Sequence, residues 1–335
     1  MAIKKKTAAI IAGVAAVAII GGGITALALG TSSNAEASGS GDADAKAGIA
    51  TSFNLTADQD RIHLDAIPEA VASLEAGGFT PIEAGKLTVV TSPYAAPLAL
   101  YADDDTTLIG NEVDLAQLIA DGLGLELNIQ PAAWADWPLG IQSGKYDLIL
   151  SNVTVTDERK ELYDFASYRQ DLLGFYVKSD SKIDSITEAK DVAGLKIIVG
   201  SGTNQEKILQ AWDAENIAAG LDPVQYLYFD DTASGALALK SGRADANFGP
   251  NATSAYAAAI DGETKLVGTV NGGWPETAPI AAATAKGNGL IDSVTIVLNA
   301  AISGGEYGDV LTRWGLTSEG LTAAEINPPG LPKTE

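Results

Sequence analysis

Cysteine is absent from all 335 residues. That excludes disulfides, thiolate nucleophiles, cysteine metal sites and a lipid-modified N-terminal cysteine. Histidine occurs once, as His63, in a polar stretch without neighbouring ligand residues. It reads as a solvated side chain, not as a catalytic or metal-binding group. Basic residues are scarce: 21 Lys and Arg stand against 43 Asp and Glu, a formal charge of −22. So acidic a surface repels phosphate backbones and argues against nucleic acid as a partner. No phosphate loop of the form Gly-x-x-x-x-Gly-Lys-Ser/Thr is written, and neither cofactor nor metal is expected. What is plentiful is apolar: 46% of residues are hydrophobic, with abundant Gly and Ala. The length suits one large domain or two smaller lobes, each with its own core.

The N-terminus carries an export pattern. Lys4, Lys5 and Lys6 precede an uncharged apolar run over 7–29, about 35 Å long as a helix against a hydrocarbon core of about 30 Å. That is long for a cleaved signal, yet Ala35-Glu36-Ala37 offers a small-x-small cleavage site, and the Gly triplet at 21–23 weakens a permanent span. Residues 1–37 are thus either a signal peptide or a signal anchor. Both place the remainder outside the cytoplasm, secreted or tethered to the outer face of the membrane. A flexible tether follows over 38–52, then a helical prelude over 53–85, in which Ile67, Val71 and Leu74 share one helical face.

From Lys86 onward strands and helices alternate. "KLTVVT", "LELNIQ" and "YDLILS" read as buried strands, with helices over "NEVDLAQLIADGLG" and "WADWPLGIQSG" between them. A second series repeats the scheme: "LKIIVG", "VQYLYF" and "ADANFG" as strands, "NQEKILQAWDAE" and "TASGALALKSG" as helices. The fold class is therefore α/β, with parallel-type sheets and helices on both faces. One phrase is written twice, 98 positions apart: Ser143-Gly144-Lys145-Tyr146-Asp147 and Ser241-Gly242-Arg243-Ala244-Asp245. In each, Gly ends a helix, a basic residue lies at the helix C-terminus, and Asp precedes a strand. Each strand then runs out into Asn-x-Thr, at Asn152 and at Asn251. Ligands of open parallel sheets bind beyond the carboxyl ends of the strands, so two such ends suggest two jaws facing one cleft.

The residues able to hold a ligand cluster at those ends. In "SNVTVTDERK", Thr156 can cap a helix start that carries Arg159, whose guanidinium can take a carboxylate through two parallel hydrogen bonds. Asn152 and Thr154 add donors. An alternative use of Arg159 is a surface pair with Glu158 or Glu161. In "VGSGTNQE", Thr203 and Glu206 have capping-box spacing, and free backbone N–H groups there could receive an anion. Tyr94, Trp134 and Trp137 follow strands and suit an apolar wall. Trp274 is placed near a chain crossing between lobes.

These motifs, in this order, resemble the extracellular solute-binding protein family 3, the amino-acid-type binding components of ABC importers. The resemblance covers about Lys86 to Gly315, from "GKLTVVTSPYAAPLAL" through "SNVTVTDERKELYDFASY", "VAGLKIIVGSGTNQE" and "ALALKSGRADA" to "GDVLTRWGL". It implies two lobes joined by a two-stranded hinge, lobe 1 over 86–176 plus 275–328 and lobe 2 over 180–270. It further implies closure around a small carboxylate-bearing solute, an amino acid or derivative, and delivery to a transporter permease by a monomer. By resemblance Arg159 takes the ligand carboxylate, Thr154, Asn152, Thr203 and Asn204 are polar donors, and Trp134 is a wall. Two departures stand out. The family's acidic partner for the ligand amine falls at Pro250, with Asn251 next. The usual aromatic falls on Ala95 or Leu98, with Tyr94 one place early. Asp136 could supply the charge, or the ligand could lack a free amine. Competing readings are an exported dehydratase-like enzyme on the same fold, with Asp136 or Glu112 as its acid, and a ligand-sensing module.

Overall fold

The computed structural model describes residues 53–229, 231–277 and 279–333. The expected signal or anchor, 1–37, and the tether, 38–52, lie outside the described residues. After α1 (Pro68–Gly77) the chain forms β1 (Lys86–Thr91), a small hairpin of β2 (Leu100–Tyr101) and β3 (Leu108–Ile109), α2 (Asn111–Gly122), β4 (Glu126–Pro131), α3 (Trp137–Gln142) and β5 (Leu148–Ile149). It continues through β6 (Tyr163–Gln170), β7 (Leu172–Lys178), β8 (Lys196–Ile198), α4 (Asn204–Ala218), β9 (Gln225–Leu227), α5 (Thr232–Lys240), β10 (Ala246–Pro250) and α6 (Asn251–Asp261). It closes with β11 (Thr264–Asn271), β12 (Pro279–Ala285), α7 (Ile291–Gly304) and α8 (Glu306–Arg313).

The strands form two five-stranded sheets, ordered β4-β1-β5-β12-β6 and β9-β8-β10-β7-β11. The two orders correspond strand for strand. In each, three strands run parallel and two more add antiparallel, so the sheets are mixed and not wholly parallel. The antiparallel strands are the ones that carry the chain between lobes. β6 passes into β7 with only Asp171 between them, and β11 passes into β12 through 272–278. The range 86–176 read for the first lobe runs into β7, which pairs in the second sheet.

Each lobe has its own core. Leu115, Leu118 and Ile119 of α2 pack with Leu87 and Val89 of β1 and with Val294, Val297 and Leu298 of α7 in the first. Phe175 and Phe248 stack face to face, centroids 4.0 Å apart, in the second, beside Trp212. Burying such side chains contributes roughly 1.5–3 kcal/mol each, which is what holds the short strands in place.

The written repeat is a structural one. Gly144 and Gly242 both take the left-handed conformation, at φ 70° and 72°. Ser143 Oγ donates to Gly140 O and Ser241 Oγ to Ala238 O, each at 3.2 Å. The backbone N–H of Asp147 donates to Thr88 O on β1, and that of Asp245 to Lys196 O on β8. In return the Asp carboxylates accept from the N–H of Thr88 and of Lys196, each at 2.8 Å. The shared Ser, Gly and Asp of the two stretches therefore build the same helix-to-strand joint at the same place in both sheets.

The prelude has an unforeseen form. Residues 53–67 run extended across lobe 1, and Phe53, Leu55, Ile62, Leu64 and Ile67 pack on its core. Asp114 of α2 gathers Arg61 at 3.5 Å, Arg313 at 3.4 Å and the indole N–H of Trp314 at 2.8 Å. His63 is exposed, as read, and its Nδ1 lies 2.7 Å from Asp121. Phe53 stacks on Tyr256 of α6, at 4.8 Å, and lies 5.3 Å from Trp314.

Candidate functional site

Beyond the end of β5, Asn152 takes a left-handed backbone, φ 52°, which Asn tolerates better than most residues. It turns the chain so that Val153 and Val155 enter the core while Thr154 and Thr156 point to polar partners. Thr156 Oγ accepts the N–H of Arg159 at 3.1 Å, which starts a short 3₁₀ turn over Arg159–Glu161. Arg159 is thereby placed beside the strand end, where its Nη1 donates to Thr154 O at 2.8 Å. Its guanidinium lies 5.6 Å from the Trp134 ring and 5.8 Å from the Trp137 ring, within cation–π range of both.

Neither surface pair weighed for Arg159 forms. Glu158 pairs with Lys207 and Glu161 with Lys333. Among the described residues Arg159 makes no ion pair. Burial lowers its pKa to about 10, and the nearby Asp171, Glu158 and Tyr163 oppose that shift. It stays charged at neutral pH. The half-buried Trp134 stands edge-on to Trp137 at 6.0 Å, whereas Trp137 is buried against Tyr163 at 5.0 Å and belongs to the core. Tyr94 is exposed at the rim, with its hydroxyl against Thr232 at the start of α5.

Asn152 and Thr154 are neighbours of Arg159, with polarities the sequence does not announce. Asn152 Oδ1 accepts from Arg169 Nη2 at 2.5 Å, so its NH₂ group remains as donor. Thr154 Oγ donates to Asp171 Oδ2, also at 2.5 Å. Its one proton is committed, so towards any other partner it is an acceptor and not the donor read from the sequence.

Lobe 2 faces this with neutral groups. Thr203 Oγ accepts the N–H of Glu206 at 3.3 Å, a cap on α4, while the Glu206 carboxylate returns to the N–H of Gly202 at 2.6 Å. An internal carboxylate thus occupies one of the N–H groups considered for an external anion. Asn204 is buried and its NH₂ group donates to Gly272 O in the second crossover. Asn251 Oδ1 accepts from the Tyr176 hydroxyl at 2.9 Å. A cavity of about 150 Å³ opens beside Asn251, bordered by Ala255, Pro97, Trp314, Glu319 and Phe53. Arg159 does not border it. Lys207 of α4 reaches Glu158 from the opposite lobe.

Behind the lobe 1 strand end lies a charge cluster that sequence reading missed. Arg169 is buried, donating to Glu112 at 3.0 Å, to Glu319 and to Asn152. Burial pulls the Arg169 pKa down, but Glu319 and Glu112 outweigh it and hold the guanidinium above its usual value. Glu112, weighed as an acid for catalysis, also accepts from the Tyr168 hydroxyl and is fully enclosed. Asp136 is exposed. The available signal was "SYRQDLL", where Arg169 and Asp171 interrupt an otherwise buried strand pair.

Residues 87–317 match the family model described as bacterial extracellular solute-binding proteins, family 3. The chain is 35% identical over 147 residues to the L-cystine-binding protein TcyJ of Escherichia coli K12, covering 44% of this chain and 52% of that one. It thus spans about half the length of that relative. It is 26% identical over 291 residues to the arginine-binding protein ArgT of Corynebacterium glutamicum, 83% of this chain and 93% of that one. A solved ancestral arginine-binding protein bound to arginine superposes with a TM-score of 0.60 at 28% identity, covering 69% of this chain and 98% of that one. With the two mixed sheets and the paired strand ends already described, the match over 87–317 means that the chain belongs to the bacterial extracellular solute-binding proteins, family 3.

Proposed function

We propose that this protein captures a small amino-acid-like solute outside the cytoplasm, in the cleft between its lobes, and presents it to the permease of an ABC importer. The observation that carries this reading is Arg159: a charged guanidinium beside a sheet's carboxyl end, flanked by two tryptophans, without a carboxylate partner among the described residues. A bidentate carboxylate completes such a group, at roughly 1.5–3 kcal/mol for each charge-assisted bond. Asn152 and Asn251, with N–H donors left over, suit further carboxylate or carbonyl oxygens. Thr203 caps the lobe 2 helix that faces them, and Asn204 ties it to the crossover. Trp134 and Tyr94 form the apolar wall. The lobes divide at Asp171 and at 272–278, the two places where the chain changes sheets, and closure rotates about them.

The chain works as a monomeric binder and not as an enzyme. Glu112, one of the two acids considered for catalysis, is locked by Arg169 and Tyr168, and Asp136 stands exposed. Residues 1–37 direct export and leave the protein secreted or tethered at the outer face of the membrane. A thermal-shift screen of L-amino acids tests the reading, because a bound ligand raises the melting temperature by mass action. Wild type is expected to respond to at least one, and Arg159→Ala to lose that response while melting at the same temperature unliganded. An Arg159→Ala protein with wild-type affinity would refute the grip.

A further inference from the structure

The strap over 53–67 precedes the stretch that matches the family, 87–317, and is fastened to lobe 1 along its length. Asp103 donates its N–H to Leu55 O at 3.0 Å, and its carboxylate accepts the N–H of Ala57 at 2.9 Å. Arg61 Nη2 donates to Leu108 O at 2.8 Å, and Ile67 donates its N–H to Gly122 O at 2.9 Å. At its start the strap reaches lobe 2. Phe53 sits between Trp314, which follows α8, and Tyr256 on α6, a helix that packs on β7, β10 and β11 of the second sheet. The Phe53 and Tyr256 rings are stacked, at an interplanar angle of 23°. One side chain of the strap thus joins the two lobes without belonging to either crossover.

The face around this contact is a seam and not a core. The cavity of about 150 Å³ lies there, with Phe53, Pro97 and Leu316 on the lobe 1 side and Asn251 and Ala255 of α6 on the other. Protein interiors hold few voids larger than a water molecule, so the lobes are loosely packed along this face and can part there. Two other contacts between the lobes, Lys207 with Glu158 and the Tyr94 hydroxyl with Thr232, involve exposed side chains and contribute little. A stacked aromatic pair outweighs them. Phe53 moves with lobe 1, because the strap and Trp314 are both fixed to that lobe. Rotation of lobe 2 away from lobe 1 therefore separates Tyr256 from Phe53, and the stack exists only while the lobes meet. A contact made in one arrangement and lost in the other shifts the balance between them.

We propose that the strap is a latch between the lobes: Phe53, held by lobe 1 and stacked on Tyr256 of lobe 2, favours the closed arrangement and sets how often the empty protein adopts it. A solute held by both lobes binds more tightly the less work closure requires, so the latch tunes affinity without touching the solute. The inference goes beyond the reading of Arg159 as the carboxylate grip and does not depend on it.

The test uses the absence of cysteine. In the full chain, Lys145→Cys and Arg243→Cys, the exposed basic positions of the two matching joints, carry one spin label on each lobe. The distance between the labels is read by electron paramagnetic resonance with no solute added. Phe53→Ala and Tyr256→Ala are each expected to lower the ratio of short to long distances about 10-fold. The two together are expected to do no more than either alone, since they remove one contact. Leu64→Ala, whose side chain packs on the lobe 1 core, is expected to lower the melting temperature and leave the distances as in wild type. Distances unchanged by Phe53→Ala, or shifted equally by Leu64→Ala, would overturn the latch and make the strap a cover of lobe 1 alone. Because no solute is present, a failure of the Arg159 grip shows in the thermal-shift screen and not in these distances.

Discussion

The two lobes share a plan and differ at its tip. Their sheets have the same strand order, and the Ser-Gly-basic-x-Asp joint places the third parallel strand of each by the same hydrogen bonds. Past that strand the chemistry diverges. Lobe 1 ends in Asn152, Thr154 and Arg159, backed by Arg169, Asp171, Glu112 and Glu319. Lobe 2 ends in Asn251 and Thr203, which carry no charge. A scaffold can thus be repeated while the buried charges are kept on one side. Lobe 2 does carry charge near this end, Glu206 on the Gly202 N–H and Lys207 paired with Glu158, but each is already partnered at the surface, whereas the lobe 1 charges are buried.

The largest way to break this comparison is Arg169→Met. It strands two buried carboxylates, so unfolding in urea is expected to require about 3–5 kcal/mol less. The lobe 2 counterpart, Asn251→Ala, removes a single neutral hydrogen bond to Tyr176 and is expected to cost about 1 kcal/mol. Equal effects would mean that the buried charges of lobe 1 have no special weight.

A smaller effect sharpens the shared part. Asp147→Ala leaves the N–H groups of both Thr88 and Ile82 without their acceptor, whereas Asp245→Ala leaves only that of Lys196. Urea melts are expected to give about 2–3 kcal/mol for the first and about 1 kcal/mol for the second. The joints would prove unlike if the order reversed.

How far the sequence discloses this molecule follows the range of the interactions involved. The six strands β1, β4, β5, β8, β9 and β10, the four helices α2 to α5, the Gly stops at 144 and 242 and the cap at Thr203 depend on neighbours a few residues away, and all are readable. The resemblance to the family over about Lys86 to Gly315 agrees with the match over 87–317. Arg169 could not be read in the same way, because its partners lie 57 and 150 positions distant. Donor and acceptor roles were hidden for the same reason. Thr154 becomes an acceptor because of Asp171, and Asn251 presents an NH₂ group because of Tyr176. The antiparallel strands β6, β7, β11 and β12 were not read as strands, and their pairings join residues about a hundred positions apart. The strap over 53–67 has a period-two pattern, Phe53, Leu55 and Ala57, then Ile62 and Leu64, but forms no strand pairing, so a reading of the prelude as helical passed it over.

The smallest effect concerns pH. The folded-state pKa of Asp171 is raised to about 6 from an ordinary 3.8. Between those values the native state binds the extra proton, so this group's contribution makes stability fall as pH rises from about 4 to about 6, by at most about 3 kcal/mol. Other carboxylates add slopes of their own, so the difference between wild type and Asp171→Asn isolates the group. Urea melts at pH 4.5 and pH 7 are expected to show Asp171→Asn gaining on wild type at the higher pH. No change in the difference would mean that Asp171 ionises normally.

The claim beneath all of these is that a carboxylate-bearing solute sits between the lobes on the Arg159 guanidinium. A crystal structure with a thermal-shift-confirmed amino acid tests it most directly. The expected map has both carboxylate oxygens on Arg159, with Trp134 beside the ligand and lobe 2 on its opposite side. A ligand bound with its carboxylate away from Arg159, or outside the gap between the lobes, would contradict the account.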